Sequence, residues 1–247
     1  MWTKAEIVGH ACEIFEPEKP NPHGYVAMYL HGVHGNYLND KPTFTAEFER
    51  HGLPVICPRT ERSWWNDKIC PEFDHRFSAE RYVLDQIVPF IAERWGAKPP
   101  RIGLFGTSMG GQGALRLGFR HPSKFPVIVA ISPAIDYHLR MRFPEEENDP
   151  LFEMYPDPEA ARQDTALLHV HPLNWPRNLW YCCDPTDARW HEGAERLRMK
   201  LSALGIPQEH DLETSGGGHG FEYYNLMAKP AIGFLASALE RERLRVI

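Results

Sequence analysis

Ser108 sits in Gly106-Thr107-Ser108-Met109-Gly110, a G-x-S-x-G pattern, and His219 sits in Ser215-Gly216-Gly217-Gly218-His219-Gly220. A serine hydroxyl attacks a carbonyl carbon well only when a base takes its proton. The histidine that does so needs an acid to hold its ring and balance its charge. Asp184-Pro185-Thr186-Asp187 lies between the two, so Ser, Asp and His follow one another in chain order. Such a set would carry out acyl transfer through a serine ester. Asp187 is the preferred acid, because it lies farther out on its loop and nearer to where His219 must arrive. Asp184 abuts a strand-like run and precedes the rigid Pro185; it is the alternative acid, and otherwise a turn former.

The surroundings of Ser108 support that chemistry. The run Arg101-Ile102-Gly103-Leu104-Phe105 leads in, and Gly111 to Leu117 leads out with helical character. A strand, a sharp turn and a helix would push the hydroxyl clear of a sheet edge, and side chains at Gly106 and Gly110 would clash with crossing backbone. The helix would aim its free N–H groups at charge developing near the serine. An oxyanion needs two such donors. Met109 is expected to give one. The other is expected from His31-Gly32-Val33-His34-Gly35-Asn36, with Val33 first and Gly32 next. His34 either lines the site or holds the loop. The glycines before His219 are not followed by the Lys-Ser or Lys-Thr of a phosphate cradle.

Trp64 and Trp65 are the candidate substrate-binding aromatics, since they follow a strand-like run ending at Cys57 on the side where the site should form. Their rings could stack on a sugar or aromatic acyl group, or seal an apolar pocket; core packing is expected for at least one. Phe73 to His75 and Tyr223-Tyr224 are further rim candidates.

The elements that must position these residues read as alternating strands and helices. Buried strands are expected at Tyr25–Leu30, Pro54–Cys57, Ile102–Phe105, Val127–Ile131 and Leu179–Cys183, with His210–Thr214 nearer a sheet edge. Helices are expected over Ala79–Trp95, Ala194–Leu204 and Phe221–Leu239, the last interrupted or kinked at Pro230. Ile7–Phe15 could add one antiparallel edge strand. The alternation implies a mostly parallel sheet covered on both faces. Residues 134–178 break it with a proline- and acid-rich stretch that also carries aromatics. This is expected to be a lid-like insertion over the C-terminal strand ends.

A chain of 247 residues fits a single domain, 1–247, with length to spare for that insertion. A net charge of −6 gives no footprint for nucleic acid or an anionic membrane surface. The five cysteines show no metal or redox spacing, so no metal is expected. Met1 to Glu6 lack the apolar core of a signal peptide, which makes the cytoplasm the expected compartment.

Tyr29-Leu30-His31-Gly32, Ser63-Trp64-Trp65, Gly106-Thr107-Ser108-Met109-Gly110-Gly111-Gln112-Gly113-Ala114-Leu115, Asp184-Pro185-Thr186-Asp187 and Gly217-Gly218-His219-Gly220 occur in one order. In that order the chain resembles the putative esterase family, the esterase D-like branch of the α/β-hydrolases that includes S-formylglutathione hydrolases. The resemblance covers most of the chain from Tyr25 onward. It implies an α/β-hydrolase fold, no cofactor, a small-molecule ester substrate and an acyl-enzyme on Ser108. It leaves the acyl and alcohol groups open, because such relatives share a core and differ in loops. The oligomeric state is equally open, a homo-oligomer included. The competing readings are an acyltransferase of the same fold and a non-catalytic binding protein.

Overall fold

The computed structural model describes residues 1–144 and 148–245. Glu145, Glu146 and Glu147 of the acidic stretch therefore lie outside the described residues. The strands are β1 (Trp2–Ile7), β2 (His10–Phe15), β3 (Val26–Leu30), β4 (Val55–Pro58), β5 (Ile102–Thr107), β6 (Val127–Ile131), β7 (Asn178–Cys182) and β8 (Glu209–Asp211). They form one eight-stranded sheet in the order β1-β2-β4-β3-β5-β6-β7-β8. Every pairing from β4 across to β8 is parallel, and only β1 and β2 run antiparallel to their neighbours.

The helices are α1 (Pro42–Arg50), α2 (Ala79–Tyr82), α3 (Val88–Trp95), α4 (Met109–Arg120), α5 (Leu139–Arg142), α6 (Leu151–Met154), α7 (Pro158–Gln163), α8 (His191–Ala203) and α9 (Phe221–Arg243). Alternate strand residues face opposite sides of the sheet and build two cores. Met28, Leu30, Leu104, Ile128 and Tyr181 pack with Tyr82, Ile87, Leu115 and Leu197 of the helices on one face. Tyr29, Phe105, Val129, Ile131 and Cys182 pack with Phe44, Phe48, Met227 and Leu235 on the other. The central strands are buried on both faces, which is why they read as unbroken apolar runs.

Three elements differ from the sequence reading. Ile7–Phe15 is not one edge strand: Ile7 pairs with His10 across a two-residue turn in which Val8 (φ 54°) and Gly9 (φ 89°) are both left-handed. Thus β1 becomes the edge and β2 lies inside the sheet. Pro230 does not interrupt α9, whose buried stripe holds the helix through it although Pro230 has no N–H for the Leu226 carbonyl. The segment after α2 widens into a π turn, Val83–Ile87, before α3. Pro89 cannot donate to the Asp85 carbonyl there, so the ladder is already broken. α1 had no expectation attached to it.

The described residues of 134–178 fold as three short helices, α5 to α7, and a 3-10 turn, Ala166–His169, with Tyr137, Leu151, Tyr155 and Ala166 buried. Gln112 of α4 ties this segment to the rest. Its Oε1 accepts the Ala166 N–H at 3.0 Å, and its Nε2 donates to the Trp64 carbonyl at 3.2 Å. Among the described residues no helix is long and apolar enough to cross a membrane.

Candidate active site

Ser108 caps the N-terminus of α4 at φ 54° and ψ −119°, a left-handed conformation rare for a residue with a Cβ. Such strain costs on the order of 1–3 kcal/mol and persists only where the surroundings enforce it. Here they do. The Ser108 N–H donates to the Ile131 carbonyl at 3.0 Å, and its own carbonyl accepts from Gln112 and Ala134, each at 3.0 Å. The flanking glycines are obligatory: a Cβ at Gly106 would lie 2.2 Å from the Gly110 carbonyl oxygen, and one at Gly110 would lie 1.8 Å from that of Leu30. Both clashes are with backbone, as the sequence pattern implies.

His219 arrives on the loop between β8 and α9. Its Nε2 is 2.8 Å from Ser108 Oγ, and its Nδ1 is 2.6 Å from Asp187 Oδ2. Asp187 follows β7 and is fixed in turn: Oδ1 accepts the Trp190 N–H at 3.2 Å, and the Cys183 thiol lies 3.7 Å from Oδ2. The structure thus brings Ser108, His219 and Asp187 into one hydrogen-bonded line. Asp184 is elsewhere. Its fully buried carboxylate accepts from the N–H groups of Thr186, Gly216 and Gly218 and from the hydroxyls of Thr186 and Ser215. Burial alone would raise its pKa, but these donors hold it well below the usual carboxylate range. Asp184 therefore fastens the His219 loop to the end of β7 through the N–H groups of Gly216 and Gly218, with Gly217 and Gly218 at positive φ to bend the loop around it.

The loop after β3 closes the other side of the serine. A Cβ at Gly32 would sit 3.3 Å from Ser108 Cβ, so that backbone passes directly over the nucleophile position. The Gly35 N–H donates to the Gly32 carbonyl at 3.0 Å, which bends the loop around Val33 and His34. Met109 is the first residue of α4, and its side chain is buried. His31 is buried beneath the loop, and burial lowers its pKa to about 4, so the ring is neutral.

A cavity of about 400 Å³ opens at Ser108. Gly32, Val33, His34 and Trp64 line it, together with Asp187 and His219. Trp65 does not. It is fully buried under α4, its Cβ is 2.4 Å from where a Cβ on Gly113 would stand, and its Nε1 donates to the His31 carbonyl at 3.1 Å. The expectation of a substrate contact at Trp65 is corrected accordingly: it packs in the core and props the loop after β3. Of the other rim candidates, Tyr224 lines the cavity and meets the His219 ring edge-on at 5.7 Å. Burial raises its pKa well above the ordinary value, so the phenol stays protonated. Tyr223 is buried in the core, and Phe73 packs on His10 and Tyr82. The sequence reading missed Asn36, Arg140, Arg189, Trp190 and Phe221, which also line the cavity. Phe221 and Trp190 sit within two or three residues of His219 and Asp187, and that adjacency was the available signal. Arg140 carried none.

A mostly parallel sheet with helices on both faces is the α/β-hydrolase fold. Residues 13–221 match the family described as Putative esterase, and the chain belongs to that family of carboxylic-ester hydrolases. Solved structures agree on the fold. The fluorophosphonate-binding serine hydrolase F of Staphylococcus aureus is 18% identical with a TM-score of 0.72, covering 96% of this chain and 97% of its own. An S-formylglutathione hydrolase from Agrobacterium tumefaciens is 17% identical with a TM-score of 0.75, covering 96% and 94%. A ferulic acid esterase is 15% identical with a TM-score of 0.72, covering 96% and 97%. No curated protein matches the sequence.

Proposed function

We propose that the chain hydrolyses small carboxylic esters or thioesters through an acyl-enzyme on Ser108. The observation that carries this reading is the line of contacts from Ser108 Oγ through His219 to Asp187. Asp187 accepts a hydrogen bond from Nδ1–H and keeps the proton on that nitrogen, which leaves the Nε2 lone pair facing the serine. As Oγ attacks the carbonyl carbon, its proton passes to Nε2 and the carbonyl oxygen becomes an oxyanion. Met109 N–H and the Val33 or Gly32 N–H receive that charge, a contribution of about 2.7–4 kcal/mol per donor in comparable sites. The imidazolium then protonates the leaving alcohol or thiol, and water repeats the sequence on the acyl-enzyme. An acyltransferase would differ only in the attacking alcohol. A binding protein would have no use for the strained Ser108 backbone.

In the same reading, residues 134–178 act as a partial lid, since Arg140 from this segment reaches the cavity wall. The test is intact-protein mass spectrometry after a fluorophosphonate probe. One adduct on the native chain, lost in a folded Ser108→Ala variant that also no longer hydrolyses p-nitrophenyl acetate, is the expected result. An adduct that persists in Ser108→Ala would end the nucleophile assignment.

A further inference from the structure

The sheet ends in two edges of different design. β8 offers only three residues, Glu209–Asp211, and so short an edge protects itself. β1 offers six, Trp2–Ile7, and no strand among the described residues lies beyond it. Its open groups follow from the ladder with β2. Met1 and Glu16 exchange both backbone hydrogen bonds, and Ile7 pairs with His10, so the odd-numbered residues of β1 bond to β2. The N–H and C=O groups of Lys4 and Glu6 therefore point away from the sheet, and no hydrogen bond reaches them there from the described residues. The strand is held firmly all the same. The Trp2 indole donates to the Thr45 hydroxyl at 3.1 Å and packs on Phe15 and Phe48. At the other end, the Tyr82 hydroxyl donates to the Ile7 carbonyl at 3.1 Å, and Arg76 to that of Val8 at 3.2 Å.

An open edge is a template for another strand, and charges of one sign along it would repel a copy of itself. Lys4 and Glu6 are exposed, lie two residues apart on one face, and carry opposite charges. Around a two-fold axis through Ala5, antiparallel pairing sets Lys4 of each copy opposite Glu6 of the other, and these are the residues whose backbone groups are free. Each such pair exchanges two backbone hydrogen bonds and brings an ammonium beside a carboxylate. Ala5 meets its own copy on the axis, at a non-hydrogen-bonded position where strands approach most closely and a methyl group fits. Axes through Lys4 or Glu6 would set like charges opposite each other, and an axis through Thr3 would leave Glu6 without a partner. We propose that β1 is a self-association edge, at which two copies of this chain pair antiparallel in the register centred on Ala5 and join their eight-stranded sheets into one. So few contacts make a small interface, and the dimer is expected to be weak and sensitive to salt.

Sedimentation velocity over a concentration series at low salt is the test. The native chain should shift from monomer toward dimer as its concentration rises, and should shift less in high salt. Lys4→Glu leaves two carboxylates on the edge and Glu6→Lys leaves two ammonium groups, so each variant alone should dissociate at least about tenfold more readily. Mixed in equal amounts, the two variants should recover the dimer, because the carboxylates of one edge then face the ammonium groups of the other. The double variant Lys4→Glu/Glu6→Lys should dimerise as the native chain does. Thermal melts check the fold of each variant. Glu6→Lys carries the test by itself where Lys4→Glu melts early, since Glu6 stands opposite Ala11 on β2 whereas Lys4 stands opposite Glu13. A native chain that stays monomeric at the highest concentration would overturn the proposal. So would a dimer that persists unchanged in Glu6→Lys, or a mixture no more dimeric than its folded parts.

Discussion

The Nε2 of His31 accepts the backbone N–H of Thr60 at 3.0 Å, so its proton sits on Nδ1, where it is donated to the Gly32 carbonyl 2.8 Å away. One buried neutral ring thereby joins the end of β4 to the loop over Ser108. The Trp65 indole caps the same residue from the other side through the His31 carbonyl. The proposed oxyanion loop is held by hydrogen bonds that a protonated His31 could not make in full, because an imidazolium has no acceptor for Thr60.

This makes stability depend on pH in a stated direction. His31 has a folded-state pKa of about 4, below the roughly 6.5 of an unfolded histidine, because burial disfavours its charged form. Between those values the unfolded chain binds more protons than the folded one, so stability is full above about pH 6.5 and falls as pH drops toward 4. The loss from this ring by pH 4.5 is on the order of 2 kcal/mol. Asp184, whose pKa is depressed, adds to the loss only at lower pH, when its carboxylate is protonated. Urea midpoints at pH 7.5 and 4.5 should therefore separate more for the native protein than for His31→Gln. Equal separations would remove His31 from the account.

Asp187 and Asp184 should fail in different ways. In Asp187→Asn the amide favours the wrong imidazole tautomer, so kcat should drop by about 10⁴ with little change in melting temperature. Asp184→Asn keeps the fold of the sheet but cannot accept from all five donors now on its carboxylate. Its cost should be about 1–3 kcal/mol of stability, with a smaller loss of kcat from a looser His219 loop. Kinetics and melts on the two variants side by side decide it, and a greater kcat loss at Asp184 reverses the assignment.

The parts of the site that the sequence made legible are those whose backbone geometry demands a residue type. Gly106 and Gly110 are required by contacts of 2.2 and 1.8 Å, and such a demand leaves a motif. The position of His219 was legible for a related reason, since Gly217 and Gly218 mark a loop bent by positive φ. Where ordinary residues take unusual conformations, no trace remains. Val8 turns the β1–β2 hairpin at φ 54° where asparagine or glycine would have announced it. Trp64 and Trp65 are both left-handed at φ 55°, so adjacent side chains leave in directions that neither strand nor helix periodicity describes. Arg140 reaches the cavity from a four-residue helix inside a segment without periodic pattern, and only tertiary packing places it.

That divergence of neighbours supports one further expectation. Trp64 lines the cavity and packs at 4.9 Å on the Tyr137 ring, tilted by 30°, whereas Trp65 lies beneath α4 away from the cavity. Trp64→Phe keeps an apolar ring on Tyr137 but reshapes the cavity wall and removes an indole N–H that has no hydrogen-bond partner among the described residues. It should change KM or kcat/KM severalfold and cost less than about 1.5 kcal/mol of stability. Trp65→Phe removes the hydrogen bond to the His31 carbonyl and leaves space beside Gly113, which packs tightly against the Trp65 ring. The combined loss should be about 2–3 kcal/mol, with the effect on rate arising through the loop after β3. Denaturant midpoints and Michaelis curves for the pair test the division. If Trp64→Phe were the more destabilising and Trp65→Phe the one that altered KM alone, the placement of the two rings relative to the cavity would be wrong.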